Sequence, residues 1–316
     1  MKNTLLFIAA LFVLPTILLP GCKKDGLLVK SKSTDSTVTT LATGSYYYVT
    51  TDNNGELYAL AYGGNTIYKY DGNSGKTAFY TLPATVSGDS TAFNKMQCLT
   101  SDSLGNIYTI NVNGEGTANV LKITQSGSAS TTFSNINPDK VLQVQYIGTN
   151  NGGFYFSTYA GIYKIAPGTG PQLLVNSFSP DFAVDKNGNV IYATYIQYDN
   201  TAKISLNQVT PQGGQSVIAA NIYSTGNTSV FGTNIVTDKL GNTYVYITTS
   251  SFTLLKINTS AIVSTVMTGT IGNVDGTFKT AEIGGVYNMV TDPSGNIYFS
   301  QGNDNLSESY IRKITF

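Results

Sequence analysis

The sequence predicts an all-β chain folded as a six-bladed β-propeller, and three observations carry that expectation. A short signature, Asp-x-x-Gly-Asn-x-Tyr, recurs along the 316 residues. Its first position falls at 52, 102, 149, 185, 238 and 292, so the 240 residues from first to last divide into five intervals with a mean of 48. That spacing suits a four-stranded blade and is too long for a solenoid coil. Composition agrees, because charged residues are only 11% of the chain while Gly numbers 32 and Tyr 22, which favours sheet with tight turns over solvated helices.

Each unit reads as the same set of strands. The near copies are Asp52 to Tyr58, Asp102 to Tyr108, Asp238 to Tyr244 and Asp292 to Tyr298. Asp185 to Tyr192 has one extra residue, and Thr149 to Tyr155 keeps Gly152 and the Tyr but lacks the Asp. Asp at the head of a turn accepts backbone N–H bonds and Gly supplies the positive φ of a hairpin loop, so each copy predicts one hairpin. A β-prone run such as Phe182-Ala183-Val184 precedes the turn, and an alternating strand such as Ile297-Tyr298-Phe299-Ser300 follows it. A third strand carries Lys69, Lys122, Lys164, Lys256 and Lys313, with Gln208 in the fourth unit; its apolar positions are expected to face the next blade and its Lys to face out. The last unit ends at Phe316, one strand short. The segment Thr34 to Leu41 has the right length to supply that strand and remove an open edge. The propeller domain is therefore expected over residues 34–316.

Residues 1–22 hold Lys2, an apolar stretch over 5–19 and the ending Leu19-Pro20-Gly21-Cys22, the layout of a cleaved export signal. The ending resembles a bacterial lipobox, with Pro20 departing from the usual small or aliphatic residue; the resemblance implies acylation of Cys22 and a membrane anchor. Lys23-Lys24-Asp25 is similar to the start of Bacteroidota lipoproteins, which implies the outer membrane, on its periplasmic or surface face. A soluble secreted protein with unmodified Cys22, or a retained hydrophobic helix, are the alternatives. Residues 23–33 are mostly polar and suit a tether. Cys98 is the only other thiol, so a lipidated chain has no disulfide framework.

Eighteen basic and eighteen acidic residues leave no net field, and no basic run forms a phosphate stripe, so nucleic acid is not an expected partner. The chain has no His, which removes the commonest general base, the usual Ser and Cys triads and the commonest zinc ligand. Inner strands line a propeller's channel. Four residues before the signature Asp stand Tyr48, Cys98, Gln145, Asp181, Asn234 and Asn288, a polar ring. Asp181, Asn234 and Asn288 offer oxygen to a divalent cation such as Ca²⁺ in the central channel, and with Tyr48 and Gln145 they offer hydrogen bonds to a sugar or peptide. Equally, the amides of a water-filled channel can simply satisfy strand ends. Cys98 reads as a small buried side chain, and Tyr46, Tyr47, Tyr195 and Tyr198 as a possible ligand surface.

The final unit, Gly272-Asn273-Val274-Asp275-Gly276-Thr277-Phe278 with Ala281, then residues 289–298 and Ile311-Arg312-Lys313-Ile314, closely resembles an NHL repeat. The resemblance covers about 45 residues strongly and nearly all of 45–316 weakly. It implies a recognition scaffold, with gluconolactonase-like and strictosidine-synthase-like enzymes as a related group. Those lactonases hold a metal through Glu, Asn and Asp, and residues 179–185 are similar to their Asp-bearing stretch. Asp181 lies one residue out of register, and Tyr48 stands where the Glu belongs. The expectation is a monomeric lipid-anchored module binding a glycan, peptide or protein, needing no cofactor; the alternative is a metal-dependent lactonase or esterase-like hydrolase centred on Asp181, Asn234 and Asn288.

Overall fold

A computed structural model describes residues 35–316 except 62, 72–74, 84–94, 113–117, 137–140, 148–152, 177–180, 199–200, 227–229 and 303–307, and describes only the backbone of 135, 141–147 and 197–198. The leader, Cys22, the tether, Thr34 and Thr149 to Gly152 lie outside the described residues. The unit Asp35–Phe316 is all β, with no helix among the described residues.

Six sheets stand around one axis. Their innermost strands are Tyr46–Thr51, Lys95–Ser101, Val141–Ile147, Phe182–Val184, Gly232–Thr237 and Gly285–Thr291, in blades one to six. Each inner strand touches the next, and the sixth touches the first, so the ring closes. Within blades one to five the strands follow in sequence order from inside to outside, each antiparallel to the next. The face carrying the signature turns lies at one end of the channel. The mouth, where inner strands begin, lies at the other.

Closure occurs as the sequence predicts, with one addition. The strand Thr37–Gly44 pairs antiparallel with the last strand, Ser309–Thr315, from Thr37 opposite Thr315 to Gly44 opposite Ser309. The two residues Gly276–Thr277 then pair outside it, making the sixth sheet five-stranded. They belong to the NHL-like stretch, whose Asp275 is the hub of a clasp. Asp275 accepts bonds from Thr40 N–H at 2.7 Å and Thr40 Oγ1 at 2.8 Å, and pairs with Arg312 at 2.9 Å. The Arg312 side chain is fully buried and also donates to the carbonyls of Glu282 and Val274 and to Gln301 Oε1. A buried guanidinium is tolerated only with such partners around it.

Apolar side chains form layers between blades rather than one central core. Leu60, Ile67, Ile107 and Phe154 belong to the layer shared by blades one to three, Ile204, Leu206 and Val245 to that of blades four and five, and Tyr70, Leu57, Tyr298 and Ile311 to the seam of blades six and one. The third-strand Lys does not simply face water. In five blades it sits opposite the signature Tyr in register, with its ammonium 5.0–5.9 Å from that ring's centre. Each such contact is worth about 0.5–1 kcal/mol, small beside the roughly 4–6 kcal/mol upper bound for burying a tyrosine ring. Burial therefore fixes the Tyr, and the Lys stem covers it.

Deleting residues 34–42 removes most of the closing strand and both Thr40 contacts to Asp275. The expected outcome by circular dichroism is a broad, early thermal transition in place of a cooperative one. A truncated protein melting like the full chain would refute closure by this strand.

Candidate functional site

The signature residues are consumed by their own turns. The Oδ1 of Asp52, Asp102, Asp185 and Asp292 accepts main-chain N–H groups two and four residues on, at 2.8–2.9 Å. The Oδ2 of Asp102, Asp185, Asp238 and Asp292 accepts the amide of the signature Asn at 2.7–2.8 Å. Tyr108 donates to Asp102 at 3.0 Å, and Gly105 holds φ at 78°, a region costly for any residue with a Cβ. The carboxylates at these turns are engaged in shaping them, Asp52 Oδ2 most loosely, by the Tyr58 hydroxyl at 3.4 Å.

One residue before the signature, a belt of hydroxyls encircles much of the channel. Ser101 donates to the Thr51 carbonyl at 2.7 Å, Thr51 to that of Thr291 at 3.0 Å, Thr291 to that of Thr237 at 2.8 Å, and Thr237 to that of Val184 at 3.2 Å. Each blade from five through six and one to two thus bonds the blade before it. The belt starts at Val184, which accepts but has no hydroxyl to pass on. It surrounds a narrow cavity of about 150 Å³, below the usual range for ligand clefts of roughly 300–1,000 Å³.

The six ring positions separate into different roles. Asn288 Oδ1 accepts the Val49 N–H at 2.8 Å, and Asn234 Nδ2 donates to the Val286 carbonyl at 3.0 Å. Both amides bond neighbouring blades and are buried. Tyr48 is buried in the apolar layer of blades one to three, edge-on to Tyr47 at 4.9 Å. Cys98 is buried at a bulge with φ of 61°, where Thr109 Oγ1 donates to its carbonyl at 3.0 Å. Gln145 pairs through its backbone with Tyr155, and its side chain lies outside the described residues. The ring residues of blades one, five and six share one register, opposite Leu60, Tyr246 and Ser300, whereas the blade-two bulge falls on Cys98 itself and takes it out of the series.

Asp181 is placed differently. It precedes the short inner strand of blade four at the mouth, half-buried, and desolvation raises its carboxyl from 3.8 to about 8. Beside it Tyr195 bonds Thr233 of blade five, and its hydroxyl is pushed up to about 12 by burial, with Asp181's charge adding to the rise. Blade four is also elongated here. Its second and third strands run nine residues each, against five or six for the second strands elsewhere, which projects the hairpin about 10 Å further. On this face Tyr159 in blade three, Tyr195 and Ile196 in blade four and Phe231 entering blade five are exposed, Phe231 by 75%. Of the other tyrosines singled out above, Tyr46 is buried and takes Lys76 at 2.7 Å, Tyr47 stacks on Tyr287 at 4.3 Å, and the Tyr198 side chain lies outside the described residues.

As a cation site the ring is poor in free oxygen. Ca²⁺ takes six to eight oxygen ligands, whereas Asp181 is the one carboxylate, and the Asn288 oxygen already accepts a main-chain N–H. Among the described residues no group of three or more His, Cys, Asp or Glu gathers.

No protein-family model matches the chain, and no curated protein sequence does so either. Among solved structures it is similar to a Bacteroides thetaiotaomicron protein of unknown function, with a TM-score of 0.60 at 16% identity over 89% of this chain and 76% of that one. A gluconolactonase from Xanthomonas campestris gives a TM-score of 0.55 at 8% identity over 89% and 90% of the two chains. A virginiamycin B lyase from Staphylococcus aureus gives 0.50 at 14% identity over 89% and 99%. The chain is a β-propeller. At these identities the likeness establishes the fold, which hosts unrelated activities.

The raised Asp181 carboxyl makes a signed pH prediction. Its folded pKa exceeds its unfolded one, so the folded state binds the extra proton between pH 3.8 and about 8, and this residue's contribution to stability falls as pH rises through that window. Asp181→Asn is expected to flatten the fall in melting temperature between pH 5 and pH 8. Identical pH slopes for both proteins would show that the carboxyl is solvated.

Proposed function

We propose that this chain is an exported propeller, anchored by lipid on Cys22 to the outer membrane, that works as a monomeric binding module for a glycan, peptide or protein. The observation that carries the reading is the mouth end of blades three to five, where Tyr195 and Ile196 are exposed on the projecting hairpin of blade four and Tyr159 and Phe231 on the blades either side. Exposed aromatic side chains grouped on one face favour recognition over simple solvation. The absence of His and the use of Asn234 and Asn288 as bonds between blades support the same reading.

A metal-dependent lactonase or esterase-like hydrolase is the second reading, and one observation favours it. Asp181 with a pKa of about 8 is protonated near neutrality, as an acid catalyst would be, and Tyr195 is near it. Its weakness is the oxygen supply described above, and no reaction step is derived through a metal.

Glycan and peptide arrays probed with the wild type and with Phe231→Ser and Tyr159→Ser distinguish the two. The binding reading expects selective capture, at least fivefold weaker in the variants. Capture indifferent to both substitutions, or a melting temperature raised by Ca²⁺ only while Asp181 is intact together with gluconolactone hydrolysis, would favour the enzyme. Anchorage is read from labelled fatty acid, which Cys22→Ser should no longer incorporate; label retained in that variant would overturn it.

A further inference from the structure

The signature turn repeats one backbone with different tips. The residue two after the Asp makes the turn with its N–H and not its side chain: Asn54, Leu104, Asn187 and Ser294 each donate to their Asp Oδ1 at 2.8–2.9 Å. The side chain there can vary, and turn tips in water favour polar residues. Blades one, four and six follow that preference with Asn54, Asn187 and Ser294. Blades two and five do not. Leu104 is 74% exposed, and Leu240, at the same position after Asp238, is 77% exposed. Ile262 adjoins the second tip, 61% exposed on the turn 258–262 that abuts Gly241.

Blades two and five stand three apart in a ring of six, so these apolar tips lie on opposite sides of the channel at the same end of the molecule. A broad flat surface meets both at once. Chain connectivity decides which surface comes to that end. Thr37 pairs with Thr315, and the adjacent Ile314 pairs with Ile297 just after the last signature turn, so the domain begins at the turn-face end of blade six. Residues 23–34 separate Cys22 from Asp35, and the 13 steps from 22 to 35 span at most about 45 Å. With the mouth toward a membrane, about 20 Å of that span would go to running back along a six-residue strand. With the turn face toward it, none would.

We infer that the turn face rests on the phospholipid surface that holds the anchor, with Leu104, Leu240 and Ile262 in its interfacial layer and the aromatic mouth of blades three to five pointing away from the membrane. The inference rests on the lipid on Cys22 proposed above. A tethered domain needs little affinity to stay docked, because the anchor makes the second contact intramolecular, and burial of three aliphatic side chains supplies it. Lys186 and Lys239 beside the tips are matched by the signature Asp carboxylates, so apolar burial and not charge holds the face down.

The chain has no Trp, so one introduced Trp is a clean reporter. The test places the acylated full chain in phosphatidylethanolamine and phosphatidylglycerol vesicles that contain a lipid with brominated acyl chains as quencher. Leu104→Trp and Leu240→Trp should be quenched with blue-shifted emission, Ile196→Trp at the mouth should not, and the pattern should survive about 0.5 M salt, which screens surface charge. Adding Leu104→Ser to Leu240→Trp should lower the ratio of docked to undocked protein about tenfold, the scale for one buried leucine. Equal quenching at positions 104, 240 and 196, none at 104 and 240, loss of the pattern in salt, or a ratio unmoved by Leu104→Ser would overturn the docking in an acylated chain and leave the anchor standing. A chain that takes up no fatty acid on Cys22 would overturn the anchor, and the docking with it.

Discussion

A ring of sheets is stable only if its first and last members meet, and here that requirement falls on one seam. An unclosed sixth blade would present the open edge of Ser309–Thr315 to solvent, a template for pairing with other chains. The closing strand covers that edge, and the seam carries more side-chain bonds than alignment alone needs. Thr51 bonds Thr291, Asn288 bonds Val49, and Ser300 donates to the Tyr47 carbonyl at 2.6 Å. Ser309 takes the Tyr46 N–H and donates to Gly44, while the Asp275–Arg312 clasp holds Thr40 from outside. Each neutral bond is worth only about 0.5–1.5 kcal/mol net. Their number at one interface is what makes the seam equivalent to the covalently continuous blades.

This economy explains why the chemistry is hard to locate. Inner-strand polar side chains, which would line an active site in another propeller, serve as fasteners between blades: hydroxyls one residue before the signature, amides four residues before it. The narrow channel leaves little room between them. The mouth of blades three to five is a surface that closure does not use, and it is there that the proposed recognition role is set.

Much of this was legible in the sequence. The signature gave the blade count and hairpins, because an Asp that accepts main-chain bonds and a Gly at positive φ fix a turn without help from the rest of the fold. The missing last strand was legible too, from chain length and the run before Tyr46. The bulges were not, since one inserted residue leaves composition and spacing almost unchanged; Tyr48 and Asn288 follow the same bulge in the same register, so their different roles come from the side chains themselves, an aromatic ring that packs and an amide that bonds the next blade. The hydroxyl belt had a visible signal, Thr51, Ser101, Thr237 and Thr291 all directly preceding the Asp. Arg312 had one as well: it occupies the third-strand position held by Tyr68, Leu121, Tyr163, Asn207 and Leu255, so the single charge in that series marked the clasp.

The central claim is that closure depends on the Asp275 clasp holding the first strand against the last. Hydrogen–deuterium exchange of Asp275→Ala tests it directly. Losing these partly exposed, charge-assisted bonds should cost on the order of 2 kcal/mol locally, about thirtyfold in opening. The account predicts faster exchange in Thr37–Gly44 and Ser309–Thr315, with the inner strands of blades two to five unchanged. Unchanged protection in the closing strand, or uniform acceleration through all six blades, would contradict it.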